Sequence, residues 1–223
     1  MTNLIINDSI SFPDGVKIPI EHLQEGIEYV KKHKSKEVCV WAFGDRTRKN
    51  ISLDFLKDMK FIERFHFGIN LSSKSSIEGL HSLRNLKELR WASDSPIDID
   101  FSKLNQLKIL IMPYQKNWKN LDSLQNLKGL YVDSIKEDDL TFLPELHNLR
   151  HLRMIRGNLV TLEGLEKCKN LEYLDLRALY KLEKVMETVL KLDKLKRLEI
   201  SSCKRTDVDL DKLREKGIEV GFR

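Results

Sequence analysis

A chain of 223 residues that is 41% hydrophobic and 33% charged can bury the core of one substantial domain beneath an unusually polar surface. No apolar run reaches the roughly 18 residues of a membrane-spanning helix, and the first residues, MTNLIINDSISF, lack the basic and apolar segments of a secretory signal. We therefore expect a cytoplasmic protein with no membrane contact. The net charge of +5 comes from 39 basic and 34 acidic residues in the same segments, which indicates a solvated mixed-charge surface rather than a nucleic-acid binder.

The N-terminal segment predicts a cap. Residues 10–18 (ISFPDGVKI) are typical of a β-hairpin that turns at residues 13–15. The next segment has apolar residues at helical spacing, namely Ile20, Leu23, Ile27 and Val30. That spacing predicts an amphipathic helix that closes one end of the core, and residues 38–43 (VCVWAF) then predict the first strand of a sheet.

From residue 59 onward, the apolar pattern L-x-x-L-x-x-L-x-L recurs seven times at intervals of 20 to 24 residues. The third apolar position of its copies is occupied by Phe65, Leu89, Leu110, Leu130, Leu152, Leu174 and Leu198. The final L-x-L pair has period two, so both side chains point to one side of a short strand, whereas the preceding period of three suits a turn or helical segment. A single coil cannot cover its own leucines, so the repeats predict stacked coils with a parallel sheet and a continuous leucine core.

The spacing and the leucines resemble the leucine-rich-repeat family in its roughly 22-residue bacterial form, as found in internalin-type proteins. The resemblance covers about residues 59–203 and implies an α/β solenoid whose parallel sheet lines a concave face, where this family usually binds partners. Residues 1–223 are then a single domain: 1–58 hold the N-terminal hairpin, helix cap and first strand, 59–203 the repeats, and 204–223 a C-terminal cap. We count nine strands, the last over residues 218–222.

The chain departs from the family pattern three residues after the L-x-L pair, at a position that the family typically fills with Asn. These positions hold Asp94, Gln115, Ile135, Leu179 and Cys203, and in one coil Gly157 followed by Asn158. Without a continuous asparagine ladder, we expect less regular turns after the strands and an uneven curvature.

Residues that could support catalysis or bind a metal are sparse. No phosphate-binding glycine loop (GxxxxGK-S/T or GxGxxG) and no GxSxG nucleophile motif occurs. His147 and His151 are four residues apart, but the register places one in a turn and the other on a strand, so we expect no zinc site. Cys39, Cys168 and Cys203 lack a CxxC pair and are interpreted as reduced, mostly buried thiols, with Cys39 packed in its strand rather than acting as a nucleophile. We therefore predict a protein that is not an enzyme and needs no cofactor.

Two basic stretches that follow strands, DRTRKN (residues 45–50) and QKNWKN (residues 115–120), should lie on one rim of the sheet. Trp118 between two lysines could stack on a base, but we favour an indole that folds over its own coil. A third basic stretch, KKHKSK (residues 31–36), closes the capping helix, where cations complement the helix dipole.

The candidate binding surface consists of the strand residues that point away from the leucine core. Its members are Arg90, Ile109, Ile111, Tyr131, Asp133, His151, Arg153, Ile155, Tyr173, Asp175, Arg177 and Glu199. Isoleucines and tyrosines surrounded by charges of both signs are typical of a protein-binding patch. We predict that another protein binds this surface on the concave face.

Four of these side chains, on consecutive coils, are expected to form one stripe of anchors: Ile111, Tyr131, Arg153 and Tyr173. We expect Asp175 and Glu199 to make one end of the stripe acidic, and Arg90 with His66 to make the other end basic. Such a polarity would fix the orientation of the partner.

Three functions are open on these observations. The leading hypothesis is a module, monomeric when free, that binds protein and acts as a stoichiometric inhibitor, for example an immunity protein that neutralises a toxin such as a nuclease. The second is a nucleic-acid binder that uses the basic rim, although Asp133, Asp175 and Glu199 would repel phosphates. The third is a surface adhesin like the internalins, which the missing signal segment disfavours.

Overall fold

The computed structural model describes residues 5–6, 15–42, 44–116 and 118–222. These residues belong to two compact units, one formed by Met1–Leu107 with Gln115–Asn120 and the other by Lys108–Tyr114 with Leu121–Arg223. Each unit is a stack of coils in which a short strand is followed by turns and, in most coils, by a short helical segment. The single domain over residues 1–223 stays a prediction, and the two units are described separately below.

The first unit contains strands β1 (Ile5–Ile6), β2 (Val16–Pro19), β3 (Glu37–Trp41), β4 (Arg64–Gly68) and β5 (Glu88–Trp91), and helix α1 (Leu23–His33). Strand β1 pairs with β2 in antiparallel orientation, and β2 to β5 pair in parallel in chain order. The predicted hairpin can be followed only in part, because its residues 10–14 lie outside the described residues.

Helix α1 packs closely on strand β2, as the predicted N-terminal cap requires. The helix residues Ile27 and Val30 are buried. A Cβ added at Gly26 would lie only 2.5 Å from Cγ2 of Ile18. The missing side chain therefore lets the helix approach the strand. Lys34 caps the C-terminal end of the helix, and its φ of 53° is left-handed. The last turn of the helix contains three basic residues, which interact favourably with the negative end of the helix dipole.

The second unit contains strands β6 (Ile109–Pro113), β7 (Gly129–Ile135), β8 (His151–Gly157), β9 (Tyr173–Arg177), β10 (Arg197–Ser201) and β11 (Glu219–Phe222), and the short helices α2 (Met186–Val189) and α3 (Leu210–Glu215). All six strands pair in parallel and in chain order, so the predicted C-terminal strand is confirmed as β11. Within the described residues, no helix is long and apolar enough to cross a membrane.

The predicted count of nine strands is too low. The described residues hold ten strands that run parallel within their own unit, β2–β5 and β6–β11, in addition to β1. The extra strand is β2, which was assigned to a terminal hairpin but also pairs in parallel with β3, with Val16 opposite Val38. Strand β2 pairs with β1 along one edge, and its other edge is available to pair with β3.

The leucine core confirms the predicted register. The side chains at the third apolar position of all seven repeats are fully buried, namely Phe65, Leu89, Leu110, Leu130, Leu152, Leu174 and Leu198. In the second unit, Leu130, Leu152 and Leu174 lie directly opposite one another on adjacent strands. Each such side chain contributes about 1.5–3 kcal/mol of hydrophobic free energy on burial, so the column stabilises the stack of coils.

The turns that follow the strands are more regular in the second unit than predicted. The second residue after the L-x-L pair is left-handed in four successive coils, with φ between 50° and 58°, at Ser134, Arg156, Ala178 and Ser202. The next position, where Asn was missing, holds the buried side chains of Ile135, Leu179 and Cys203. The expectation of irregular turns was wrong here because apolar packing takes the place of an asparagine ladder.

An asparagine ladder does exist, but at another repeat position. Asn85, Asn148 and Asn170 each precede the second leucine of a repeat, and their Nδ2 atoms donate to backbone carbonyl oxygens one coil earlier at 3.0, 2.7 and 2.7 Å. These amides link successive coils in the turns that precede the strands. The recurring x-N-L sequence signals this ladder, and the sequence analysis missed it.

Candidate functional site

The second-unit sheet has one face on the leucine core and one open face, because alternate residues of a strand point to opposite sides. The side chains of the open face fall into three rows that cross the strands. The first row is Ile109, Gly129, His151, Tyr173, Arg197 and Glu219. The second row is Ile111, Tyr131, Arg153, Asp175, Glu199 and Gly221. The third row is Pro113, Asp133, Ile155, Arg177 and Ser201. We call these rows together the second-unit face.

Eleven of the twelve predicted site residues lie on the second-unit face; Arg90 belongs to the first unit. The predicted stripe of four anchors is wrong in its last member. Tyr173 lies opposite His151, in the first row, whereas the residue opposite Arg153 is Asp175. The two positions share a face but are separated by one pleat, and the repeat pattern that aligns Leu152 with Leu174 places Asp175, not Tyr173, opposite Arg153.

Tyr131 and Arg153 form the centre of the second-unit face. Gly129 has no side chain, and the Tyr131 ring fills that space: a Cβ at Gly129 would lie 3.2 Å from the nearest ring carbon. The guanidinium carbon of Arg153 lies 5.2 Å from the centroid of the Tyr131 ring, which is a cation–π distance. Both side chains are half-buried, so each is held in place by its neighbours.

Asp175 lies beneath this pair and binds two arginines. Its Oδ2 accepts hydrogen bonds from Nε of Arg153 at 2.7 Å and Nη2 of Arg177 at 2.7 Å, and its Oδ1 accepts from Nε of Arg177 at 2.8 Å. Asp175 is only 1% exposed, so the prediction that it faces solvent was wrong. A carboxylate is buried at such a position only when it is paired and hydrogen-bonded, and here the neighbouring strand and its own strand both supply a guanidinium.

Glu199 repeats this arrangement on the next strand. It is 5% exposed, and its Oε1 accepts a hydrogen bond from Nε of Arg197 at 2.7 Å. The carboxylate lies over Gly221 of β11, where an added Cβ would come within 2.5 Å of Oε2. The predicted acidic end was therefore wrong, because Asp175 and Glu199 are both covered by arginines.

A row of cations borders the second-unit face and was not predicted. Lys108, Lys128, Arg150 and Lys196 each immediately precede a strand and are exposed. Glu172 occupies the same position before β9, where Arg150 and Lys196 both bind its carboxylate and hold its pKa below the ordinary value, with the Lys196 hydrogen bond as the main cause. We call the four cations the basic edge. A basic residue directly before four of the six strands is visible in the sequence as a recurrent signal.

The predicted basic end, Arg90 with His66, lies on the first-unit sheet. There Arg64 donates from Nη1 to Glu37 at 2.6 Å and from Nε to Glu88 at 3.1 Å, while Nε2 of His66 lies 2.7 Å from Oε1 of Glu88. Burial opposes ionisation of Glu88, but the contacts with His66 and Arg64 outweigh it, so the pKa of Glu88 lies below its ordinary value. His66 is thus part of an ion network rather than a free basic group.

Comparison with known proteins identifies the fold. The sequence matches no protein-family model, and no curated protein sequence is significantly similar to it. The structure is similar to internalin C2 of Listeria monocytogenes, with a TM-score of 0.57 and 15% identity over 90% of this chain and 84% of the other. This chain has the leucine-rich-repeat fold.

Two further structures share this leucine-rich-repeat fold over most of the chain. A leucine-rich-repeat protein of Leptospira interrogans gives a TM-score of 0.50 and 18% identity over 87% of this chain, which spans 57% of that protein. A chain from the Toll–Spätzle complex of Drosophila gives a TM-score of 0.56 and 16% identity over 91% of this chain, which spans 29% of it. At these identities the likeness concerns the fold.

His147 and His151 of this leucine-rich-repeat chain lie in different surroundings. His147 is exposed in a turn, whereas the His151 ring lies on the second-unit face with its centroid 5.8 Å from that of Tyr173. Burial and, secondarily, the nearby Asp175 raise the pKa of Tyr173 above its ordinary value. The described residues contain no group of three or more His, Cys, Asp or Glu side chains that could hold a metal ion.

The three thiols differ in their surroundings. Cys168 and Cys203 are buried, and burial raises the pKa of both. Cys39 is half-exposed on the open face of the first-unit sheet, where it lies between Lys17 and His66 in the strand register. Cys39 is only partly buried because its strand places the alternate residues Val38 and Val40 in the core.

Trp118 packs against the preceding coil within the first unit. Its indole meets the Phe101 ring edge to face, with centroids 6.1 Å apart and planes at 84°, and is half-buried. The interpretation that the indole folds over its own coil was wrong, because the Phe101 ring belongs to the preceding coil, where Asp100 forms a parallel bridge with Lys119. Packing against Phe101 uses ring surface that a stacked base would need.

Proposed function

We propose that this chain is a protein-binding module whose partner docks on the second-unit face. One observation carries the proposal: Tyr131, Arg153 and Asp175 form a single interlocked cluster at the centre of that face. Tyrosine and arginine are enriched among the residues that dominate the energy of protein interfaces, especially at the centre of the contact.

The cluster is arranged before any partner arrives. Arg153 is held by both the Asp175 carboxylate and the Tyr131 ring, so its side chain loses little conformational freedom on binding. Half-buried Ile111 and Ile155 lie on either side of the cluster, in the second and third rows. Apolar side chains beside fixed polar groups supply the area and the specificity of an interface.

The structural neighbours support a protein partner. One of the similar chains comes from a complex named for two proteins, Toll and Spätzle. The likeness is limited to the fold, so it supports the class of function and carries no information about the identity of the partner.

We also propose a more specific role, in which the chain acts solely by covering its partner and performs no catalysis. Such a protein would be a stoichiometric inhibitor, for example an immunity protein that neutralises a toxin in the cytoplasm. Titration of the partner's activity should then reach a sharp endpoint at one chain per partner. Loss of partner activity at catalytic amounts of the chain would contradict this role.

Site-specific photo-cross-linking tests the docking surface directly. A photoreactive phenylalanine analogue is placed at Ile155 on the second-unit face and, as a matched control, at Tyr180, which is 61% exposed and lies in a turn outside that face. We expect a discrete protein adduct from native extract at Ile155 and none at Tyr180. Equal labelling at both positions, or adducts at Tyr180 alone, would place the partner elsewhere.

A further inference from the structure

We infer that the partner presents an acidic protein surface to the second-unit face and the basic edge beside it. This inference rests on the proposed function and names the chemistry of the partner. It follows from unused donor groups, from the depth at which each charge lies, and from the surroundings of the aromatic rings.

The first step concerns the donors of the central arginines. Arg153 uses Nε for Asp175, and among the described residues its two Nη groups have no hydrogen-bond partner. Arg177 uses Nε and Nη2 for the same carboxylate, which leaves Nη1 available. A fixed guanidinium with two available amino groups suits a carboxylate, which accepts two parallel N–H bonds in the same plane.

The charged side chains of the second-unit face differ in how deeply they are buried. The second-unit face carries carboxylates as well as guanidinium groups, but they lie at different levels. The side chains of Arg153, Arg177 and Arg197 are 37%, 36% and 40% exposed, whereas those of Asp175 and Glu199 are 1% and 6% exposed. Two carboxylates outside the central cluster, Asp133 and Glu219, are 33% and 69% exposed and pair with Arg156 and Arg197. At the centre of the face, a partner therefore contacts guanidinium groups first, because the carboxylates of Asp175 and Glu199 are buried beneath them.

The third step concerns the basic edge. Among the described residues, Lys108 and Lys128 make no ion pair, while Arg150 and Lys196 share the single carboxylate of Glu172. Each of these cations is followed directly by a residue of the first row, so the basic edge adjoins the second-unit face. Four cations against one carboxylate create a positive potential there, which attracts and orients an acidic partner at low ionic strength.

The fourth step distinguishes an acidic protein from a nucleic acid. Nonspecific binding of single strands uses aromatic faces on which bases stack. The Tyr131 ring is packed against Gly129 and covered by Arg153, and Tyr173 lies against His151. Half-buried isoleucines in all three rows provide apolar contacts that suit side chains of a protein better than a sugar–phosphate backbone.

The test uses a fluorescently labelled random copolymer of glutamate and tyrosine as the probe, with a lysine–tyrosine copolymer as the opposite-charge control. The double variant Lys108→Glu, Lys128→Glu reverses two exposed cations of the basic edge. The matched control, Lys181→Glu with Lys204→Glu, reverses two exposed cations in turns that follow β9 and β10. We expect the glutamate–tyrosine probe to bind the first variant about tenfold or more weakly than wild type, and the control within about twofold.

A conservative variant separates recognition from bulk charge. Arg153→Lys keeps the positive charge but removes the planar pair of amino groups, so binding of the probe should weaken about threefold or more at constant net charge. Thermal melting of every variant reports whether it is folded. The inference would be overturned if both Arg153→Lys and the Lys108→Glu, Lys128→Glu variant bound the probe as tightly as wild type. It would also be overturned if the Lys181→Glu, Lys204→Glu control lost as much affinity as the Lys108→Glu, Lys128→Glu variant.

The outcomes also separate this inference from the proposed function. A protein adduct at Ile155 together with no binding of the glutamate–tyrosine probe leaves the docking surface in place and refutes the acidic partner. A single-stranded oligonucleotide that displaces the probe and loses affinity in the edge variant overturns both. Tighter binding of the lysine–tyrosine copolymer than of the acidic one would likewise refute the acidic partner.

Discussion

The two units carry ion networks of one design with the charges exchanged. On the first-unit sheet, Arg64 lies between Glu37 and Glu88. On the second-unit face, the carboxylate of Asp175 accepts hydrogen bonds from two guanidinium groups, those of Arg153 and Arg177. Arg64 joins carboxylates from the strands on either side of it, whereas Asp175 joins one arginine from the neighbouring strand and one from its own strand.

The charged groups at the periphery of each network, and not its net charge, decide which charges a partner can contact. The carboxylates around Arg64 are only 15% and 13% exposed, so that network closes on itself. The side chains of Arg153 and Arg177 around Asp175 are 37% and 36% exposed. Their guanidinium groups also keep N–H donors that no described residue accepts. The network centred on Asp175 therefore presents exposed arginines that a partner can bind. The network centred on Arg64 mainly links adjacent strands.

The largest expected effect tests whether the two units share one kind of core. Leu89 in the first unit and Leu152 in the second are both fully buried at the same repeat position. Each change to Ala should lower the free energy of unfolding by about 3–5 kcal/mol, because it removes buried methyl groups and leaves a cavity. Urea denaturation measures both. Wild-type stability of either variant would contradict the register in that unit.

The next effect compares the two central ions. Arg64→Met removes the cation between two largely buried carboxylates and should destabilise by about 3 kcal/mol. Asp175→Asn should destabilise by only about 1–2 kcal/mol, because the arginines it releases are exposed enough to be hydrated. Chemical denaturation of both variants under one condition gives the difference. A larger loss for Asp175→Asn would invalidate the distinction between a closed and an open network.

The third prediction concerns binding. Tyr131→Ala and Arg153→Ala should each weaken binding of an identified partner by about 2 kcal/mol, because they remove the central aromatic and arginine anchors. The matched control is His66→Ala with Arg90→Ala on the first-unit sheet, for which we expect unchanged affinity. Calorimetric titration measures the affinities and thermal melting confirms folding. Loss of binding in the control alone would move the site to the first unit.

The smallest effect is a pH dependence of the first-unit network. The pKa of Glu88 is lower in the folded chain than its ordinary value, so its ionised form stabilises the fold fully above that ordinary value. This contribution disappears as the pH falls through the folded pKa. The stability difference between wild type and Glu88→Gln should therefore shrink between pH 7 and pH 3, with both followed by urea denaturation. A difference that grows on acidification would reverse the assigned sign.

The coils and the outward set of side chains could be predicted from the amino-acid pattern alone. Apolar residues at L-x-L fix which side of each strand is buried, because the alternation along a strand is local. Leu130, Leu152 and Leu174 could therefore be assigned to the core, and the residues between and around the leucines to the open face. The same local periodicity predicted helix α1.

The contacts that the outward side chains make with one another arise only in the folded chain. The repeat places Asp175 opposite Arg153, since Leu152 lies opposite Leu174, but the hydrogen bond between the two side chains depends on the conformations that they adopt in the folded sheet. Burial of Asp175 and Glu199 depends on guanidinium groups that reach them in the folded sheet. Charge type is a property of a residue, but the depth of a charge and its partner arise only when strands distant in sequence become neighbours.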